Sequence, residues 1–212
     1  MKLTFLGTGT SFGVPQIGCA CAVCRSTDSH DKRTRSGALL ESDSGTRILI
    51  DTPPELRLQL VAANVGNVEA VVFTHAHADH IHGIDDVRAF TIGRASPLPM
   101  YGSEETLADI ANRVPYILNE NMKPLPGTHK PEARAFPVKP GVEFKVRDIT
   151  LLPIAIPHVR TPVLAYRAGH RGYVTDAHIV PDLAFEALQR VQVLVINSLS
   201  RTPHPTHLSL PP

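Results

Sequence analysis

The sequence contains no apolar run of about 18 residues, so no segment reads as a membrane-spanning helix. Its opening, Met1-Lys2-Leu3-Thr4-Phe5-Leu6-Gly7, breaks at glycine before the apolar core of a signal peptide forms, and the expectation is a cytoplasmic protein. Charge of one sign is lacking too. With 21 Lys and Arg against 20 Asp and Glu, the formal net charge of +1 makes no general electrostatic case for nucleic acid as a partner. An anionic substrate must therefore be held by local groups. Cysteines are few and confined to Cys19-Ala20-Cys21-Ala22-Val23-Cys24, and this odd count and spacing do not describe a disulfide framework. There is no internal repeat. The 212 residues, 42% of them hydrophobic, suffice for one substantial core, and a single domain over 1–212 is expected.

What is present alternates between strand and helix patterns. Met1 to Leu6 reads as a strand, followed by the small-residue loop Gly7-Thr8-Gly9-Thr10-Ser11-Phe12-Gly13. Ala38 to Glu41 and Arg47 to Ile50 flank Ser42-Asp43-Ser44-Gly45, which predicts a hairpin ending at Asp51. Pro54 to Val61 reads as a helix opened by proline, and Val68 to Phe73 as the next strand. Ser103 predicts the cap of a helix running to about Ile117. Met122 to Pro140 is proline-rich and reads as a long irregular loop. Phe144 to Ala155 predicts one or two strands, and Val163 to Ala168 another. Pro181 to Arg190 reads as a helix with Leu183, Ala184, Ala187 and Leu188 on one face, before a buried strand, Val193 to Ile196.

The segment Thr74-His75-Ala76-His77-Ala78-Asp79-His80 concentrates three imidazoles and a carboxylate directly after an apolar run. These are the ligands that suit zinc, manganese or iron. A dinuclear site needs two cations about 3.5 to 4 Å apart, sharing an oxygen that can act as a nucleophile near neutral pH. His75 and His77 alternate along an extended segment and can face one cation, while Asp79 and His80 can turn toward a second. His158 and Asp176 each follow a predicted strand, and Asp176 has two oxygens with which to bridge. His82 reads as structural, and His30, His129, His170 and His178 have no comparable context.

These residues resemble the metallo-β-lactamase superfamily, whose H-x-H-x-D-H signature is matched by His75, His77, Asp79 and His80. The opening Leu6-Gly7-Thr8-Gly9-Thr10, Asp51, His158 and Asp176 follow the wider pattern in order. The resemblance implies an α/β αββα sandwich. It also implies two divalent metal ions, manganese or zinc, with His75, His77 and His158 at one, Asp79 and His80 at the other, and Asp176 bridging. Asp51 would orient an imidazole from behind, as carboxylates commonly do for metal-bound histidines.

Three thiols spaced C-x-C-x-x-C can fill three corners of a tetrahedral zinc site, and three buried thiols acting as small hydrophobes are the alternative. Gly13 to Cys24 looks like the opening motif of the branch containing the phosphoribosyl 1,2-cyclic phosphate phosphodiesterase, which implies a structural zinc on Cys19, Cys21 and Cys24. The basic residues that follow, Arg33 and Arg35, would lie near an anionic substrate or be simply solvated. His204-Pro205-Thr206-His207 resembles the family segment that supplies a general acid, with His207 the candidate and His204 the runner-up. Relatives continue to a further histidine-bearing element, so a C-terminally shortened domain is expected.

The function implied is a metal-dependent phosphodiesterase acting on a small cyclic or ester phosphate, with a metal-bridging hydroxide as nucleophile and Asp79 and His207 as catalytic candidates. Alternatives are another hydrolase of the fold, such as a thioesterase, lactonase or tRNA 3′-processing nuclease, or a catalytically impaired metal-binding protein. The nuclease is disfavoured because no long basic, glycine-rich insertion offers an arm for tRNA. A small phosphorylated substrate is the expected partner, with no membrane and no nucleic acid, and the family's habit of dimerising makes a homodimer an expectation.

Overall fold

The computed structural model describes residues 1–158 and 163–210. Eleven strands are described: β1 (Lys2–Gly7), β2 (Gly37–Glu41), β3 (Arg47–Ile50), β4 (Ala70–Val72), β5 (Leu98–Gly102), β6 (Ala133–Pro137), β7 (Phe144–Val146), β8 (Ile149–Ile156), β9 (Val163–Ala168), β10 (Arg171–Val174) and β11 (Val193–Ile196). The helices are α1 (Ala22–Arg25), α2 (Leu56–Ala62), α3 (Ala78–Ile81), α4 (Glu104–Arg113), α5 (Pro115–Leu118) and α6 (Asp182–Leu188), with 3-10 helices over Ser29–Asp31 and Ile84–Phe90. One sheet has the order β1-β2-β3-β4-β5-β6 and the other β11-β10-β9-β8-β7.

Side-chain alternation in the first sheet builds the layers. Leu39, Leu49 and Val71 pack with Leu56, Leu60, Ile81, Val87, Leu107 and Ile110 from the helices. Their neighbours Leu40, Ile48, Ile50 and Val72 face Leu151, Leu164, Tyr166 and Tyr173 of the second sheet. The far face of that sheet, through Ile154, Ile156, Ala165 and Val174, is covered by Ala184 and Leu188 of α6. This is helix, sheet, sheet, helix, and strands buried on both faces explain the nearly continuous apolar runs of β2 to β4. The hairpin pairs Leu39 with Leu49 and Leu40 with Ile48, and its turn uses Gly45 at φ 88°, a conformation glycine adopts without a side-chain clash.

Several expectations are corrected. The Ser103-capped helix ends at Arg113 rather than Ile117, because Pro115 disfavours helical geometry at Val114 and restarts the chain as α5. The stretch read as irregular contains β6, which pairs in parallel with β5, a strand not anticipated at all. Prolines hid both. Within β5 only Met100 and Tyr101 pair with β4, so Pro99 interrupts no bond to it, and Pro137 lies in an edge strand where a missing N–H is tolerated. Leu183 is 80% exposed rather than on the buried face of α6. The strand β11 forms as expected but is not buried: it is a sheet edge, and Val193, Leu194 and Ile196 are exposed. Cys21 caps the short helix α1, its thiol accepting from the Cys24 N–H. No helix among the described residues is long and apolar enough to cross a membrane.

Candidate metal centre

The site forms where strands of both sheets end together. Parallel pairing of β3 and β4 sets Ile50 beside Val72, so Asp51 and Thr74 leave the sheet side by side. Asp51 is wholly buried, and its carboxylate accepts from the Thr74 N–H, the Thr74 hydroxyl and His80 Nδ1, each at 2.8 Å. The second sheet closes over this corner: Leu164 N–H donates to the Thr74 carbonyl at 2.9 Å and the Tyr166 hydroxyl to the Phe73 carbonyl at 2.7 Å. The chain then runs extended through His77 and turns into α3, which is pinned by a bond from Thr52 N–H to the His80 carbonyl.

Each buried imidazole is oriented by the nitrogen that faces away from the centre. His75 Nδ1 lies 3.0 Å from the Thr74 hydroxyl, His80 Nδ1 donates to Asp51, and His158 Nδ1 lies 3.2 Å from the Thr206 carbonyl. That pattern assigns protons to the outer nitrogens and turns the inner Nε2 lone pairs toward one another. His75 Nε2 is 2.9 Å from His77 Nδ1 and 3.3 Å from Asp176 Oδ2, and His80 Nε2 is 3.1 Å from the same Asp176 oxygen. One ligand atom each from His75, His77, His158 and Asp176 lies within 4.8 Å of all the others. Asp79 Oδ2 is 3.6 Å from His80 Nε2. Lone pairs and carboxylate oxygens converging in this way repel unless protons or a cation lie between them, and the mixed imidazole and carboxylate set fits a divalent metal ion.

The electrostatics follow from burial and these contacts. Burial pushes His75 and His77 below the ordinary imidazole value, Asp176 opposing it at His75 and neighbouring imidazoles reinforcing it at His77. Burial also disfavours charge on His80, yet the Asp51 and Asp176 carboxylates outweigh it and raise His80 well above 6.5. Although burial acts against it, bonding to His75 and His80 holds Asp176 far below the usual carboxylate range. Asp51 and Asp176 both sit at positive φ, 62° and 54°, a conformation uncommon outside glycine that Asp tolerates better than most. Such strain accumulates at functional sites, where the surroundings enforce it.

The C-terminal segment reaches the same corner. Asn197 clamps both backbone groups of Ala177, Leu208 N–H bonds to the Ala177 carbonyl at 2.7 Å, and this sets His207 Nδ1 4.0 Å from Asp176 Oδ1. Its ring centroid lies 5.1 Å from His158, with His204 5.3 Å further out. The three thiols form a separate group within 4.8 Å of one another and make no disulfide. The Cys24 N–H and the neighbouring thiols lower Cys21 to about 7, the thiolate character a metal site uses. Arg35 is engaged with Glu55 and the Ser11 carbonyl, and Arg33 donates to the Thr8 hydroxyl. Sequence reasoning missed Thr74 and Thr206. Only the first had a signal, as the hydroxyl beside the first histidine.

A model of the beta-lactamase superfamily domain matches residues 46–211. This chain belongs to that superfamily. A solved diphosphatase of the PhnP family superposes with a TM-score of 0.88 at 36% identity, over 98% of this chain and 77% of that one. An octanoyltransferase of Porphyromonas gingivalis is 41% identical over 99% of this chain but only 42% of its own length. Across the curated relatives it matches, the chain spans about half their length. Human tRNase Z, short form, shares the fold at a TM-score of 0.68 and 17% identity. The superfamily chain thus has the metallo-β-lactamase architecture expected from its histidine motif.

Proposed function

We propose that the chain is a metal-dependent phosphodiesterase acting on small cyclic or ester phosphates. The observation that carries this reading is the set of inward-turned donors on His75, His77, His158 and Asp176, in a chain 36% identical to a PhnP-family diphosphatase along nearly its whole length. In this reading His75, His77 and His158 would hold one divalent ion, manganese or zinc, Asp79 and His80 would hold a second, and Asp176 would be shared between them. When bound, the ions supply an activated water and neutralise charge on the phosphoryl oxygens. The remaining work falls to the protein. Asp51, Thr74 and the Thr206 carbonyl hold the imidazole tautomers, and closure of the second sheet over Thr74 keeps solvent from that corner. His207 stands at the open side with Nδ1 toward Asp176, which leaves Nε2 to deliver a proton to the departing alkoxide. Burial lowers its pKa and makes the protonated ring the stronger acid. Cys19, Cys21 and Cys24 would hold a structural zinc.

An acyl-transfer reading comes from the name of the 41% identical relative. More than half of that protein lies outside the match, and here the three thiols group with each other rather than with the histidines. The test supplies chelated protein with Mn²⁺ or Zn²⁺ and follows a five-membered cyclic ribose phosphate, an aryl phosphodiester and an octanoyl thioester. Metal-dependent phosphodiester turnover, lost in His77→Ala, is expected. Thioester turnover alone contradicts the reading, and metal uptake with no turnover favours a catalytically impaired binder.

A further inference from the structure

We propose that Arg113, the last residue of α4, is a positioning residue for His77. His77 differs from the other imidazoles of the centre. His75, His80 and His158 are each held from behind through Nδ1, by Thr74, Asp51 and the Thr206 carbonyl. His77 turns its Nδ1 inward toward His75, is solvent-exposed, and among the described residues has no hydrogen-bond partner behind its ring. Its aim therefore depends on its backbone, and the cap position it occupies before α3 receives no bond from its own side chain.

Among the described residues the backbone at that point has one external anchor. Arg113 Nη1 donates to the carbonyl of Ala76, between the two histidines, at 2.8 Å across 37 residues of sequence. The amide of that same carbonyl is the peptide bond into His77. The rigid plane of this peptide places the His77 nitrogen and Cα, and the bond from His80 N–H to the His77 carbonyl at 3.0 Å holds the next peptide, so the two together set the direction in which the His77 side chain leaves the chain. Ala76 itself is buried in the helix-facing core, which locks the other side of the peptide. The guanidinium also lies 3.6 Å from Asp109 one turn back, a long contact, with the side chain 45% exposed. Such an exposed pair contributes little to stability. The buried α4 residues Thr106, Leu107 and Ile110 hold the helix without Arg113, so the arginine is spare for the loop.

This inference rests on the histidines binding metal but not on the phosphodiester reading, and its test reads metal affinity alone. Zinc affinity is measured by competition with a chromophoric chelator in a Cys21→Ala background, which removes the thiol group from the titration. Arg113→Met is expected to weaken zinc binding by roughly 10- to 100-fold, the range for losing an outer support of a metal ligand, with the melting temperature of the metal-free protein nearly unchanged. Arg113→Lys, which keeps a donor of similar reach, is expected to recover part of the loss. In a His77→Ala background Arg113→Met should add nothing. Unchanged affinity in Arg113→Met overturns the proposal, as does an equal loss with and without His77, which would mean general loosening of α4. If Arg113→Met does not fold, Arg113→Gln carries the same comparison with and without His77.

Discussion

Replacing Asp51 with asparagine removes one charge and almost no volume from a position that has no solvent access. Asparagine keeps an oxygen for the Thr74 N–H but offers an amide, a donor, where the Thr74 hydroxyl and His80 Nδ1 both donate. Two hydrogen bonds to a charged acceptor are lost, each worth about 1.5 to 3 kcal/mol, and His80 can relieve part of this by giving up its proton. A net loss of about 3 kcal/mol is the expected balance, near the lower end for breaking a buried pair. For a chain of this size that lowers the melting temperature by about 6–12 °C. The sign with pH follows from His80. Its folded pKa is raised above 6.5, so the stability from its charge is fully present below about pH 6.5 and fades as pH rises through the folded value. Thermal melts of chelated wild type and Asp51→Asn at pH 6 and pH 9 should therefore show the larger gap at pH 6. Zinc affinity should fall roughly 10- to 100-fold, because the amide favours the wrong His80 tautomer. A melting temperature within about a degree of wild type at both pH values, with unchanged zinc affinity, would refute the reasoning.

Two further outcomes are expected. In the metal-free protein, ring-nitrogen NMR should find His80 still protonated above pH 6.5 while His75 is already neutral there, and the reverse order would contradict the roles given to Asp51 and Asp176. Gly83→Ala should destabilise the fold, since an added Cβ meets the Pro53 carbonyl oxygen at 2.0 Å and backbone must move; overpacking of this kind costs about 1–3 kcal/mol, and a melt within a degree of wild type would show that the Pro53 turn yields freely.

The hairpin from Ala38 to Ile50 and the strand before His75 were legible because each is set by local spacing. That His75, His77, Asp79 and His80 gather at one corner was legible for a different reason: imidazoles and carboxylates are rarely packed together after an apolar strand without a task. The strands β5 and β6 were not legible, because Pro99 and Pro137 read as breakers until the pairing shows that neither removes a bond the sheet requires. Nor was the exposure of β11, since an apolar run looks the same at a sheet edge as at its centre. Thr206 contributes only its carbonyl, 48 residues from His158, and Arg113 reaches a carbonyl 37 residues away. Partners that act through backbone oxygen leave no pattern in side-chain identity.

The central claim is that these histidines and Asp176 hold metal while the thiols hold another ion independently. Elemental analysis of the purified chain, with His77→Ala and Cys21→Ala beside it, tests this most directly. The account predicts a zinc lost with Cys21 alone and separate metal lost with His77 alone. Equal metal content in wild type and His77→Ala would contradict it.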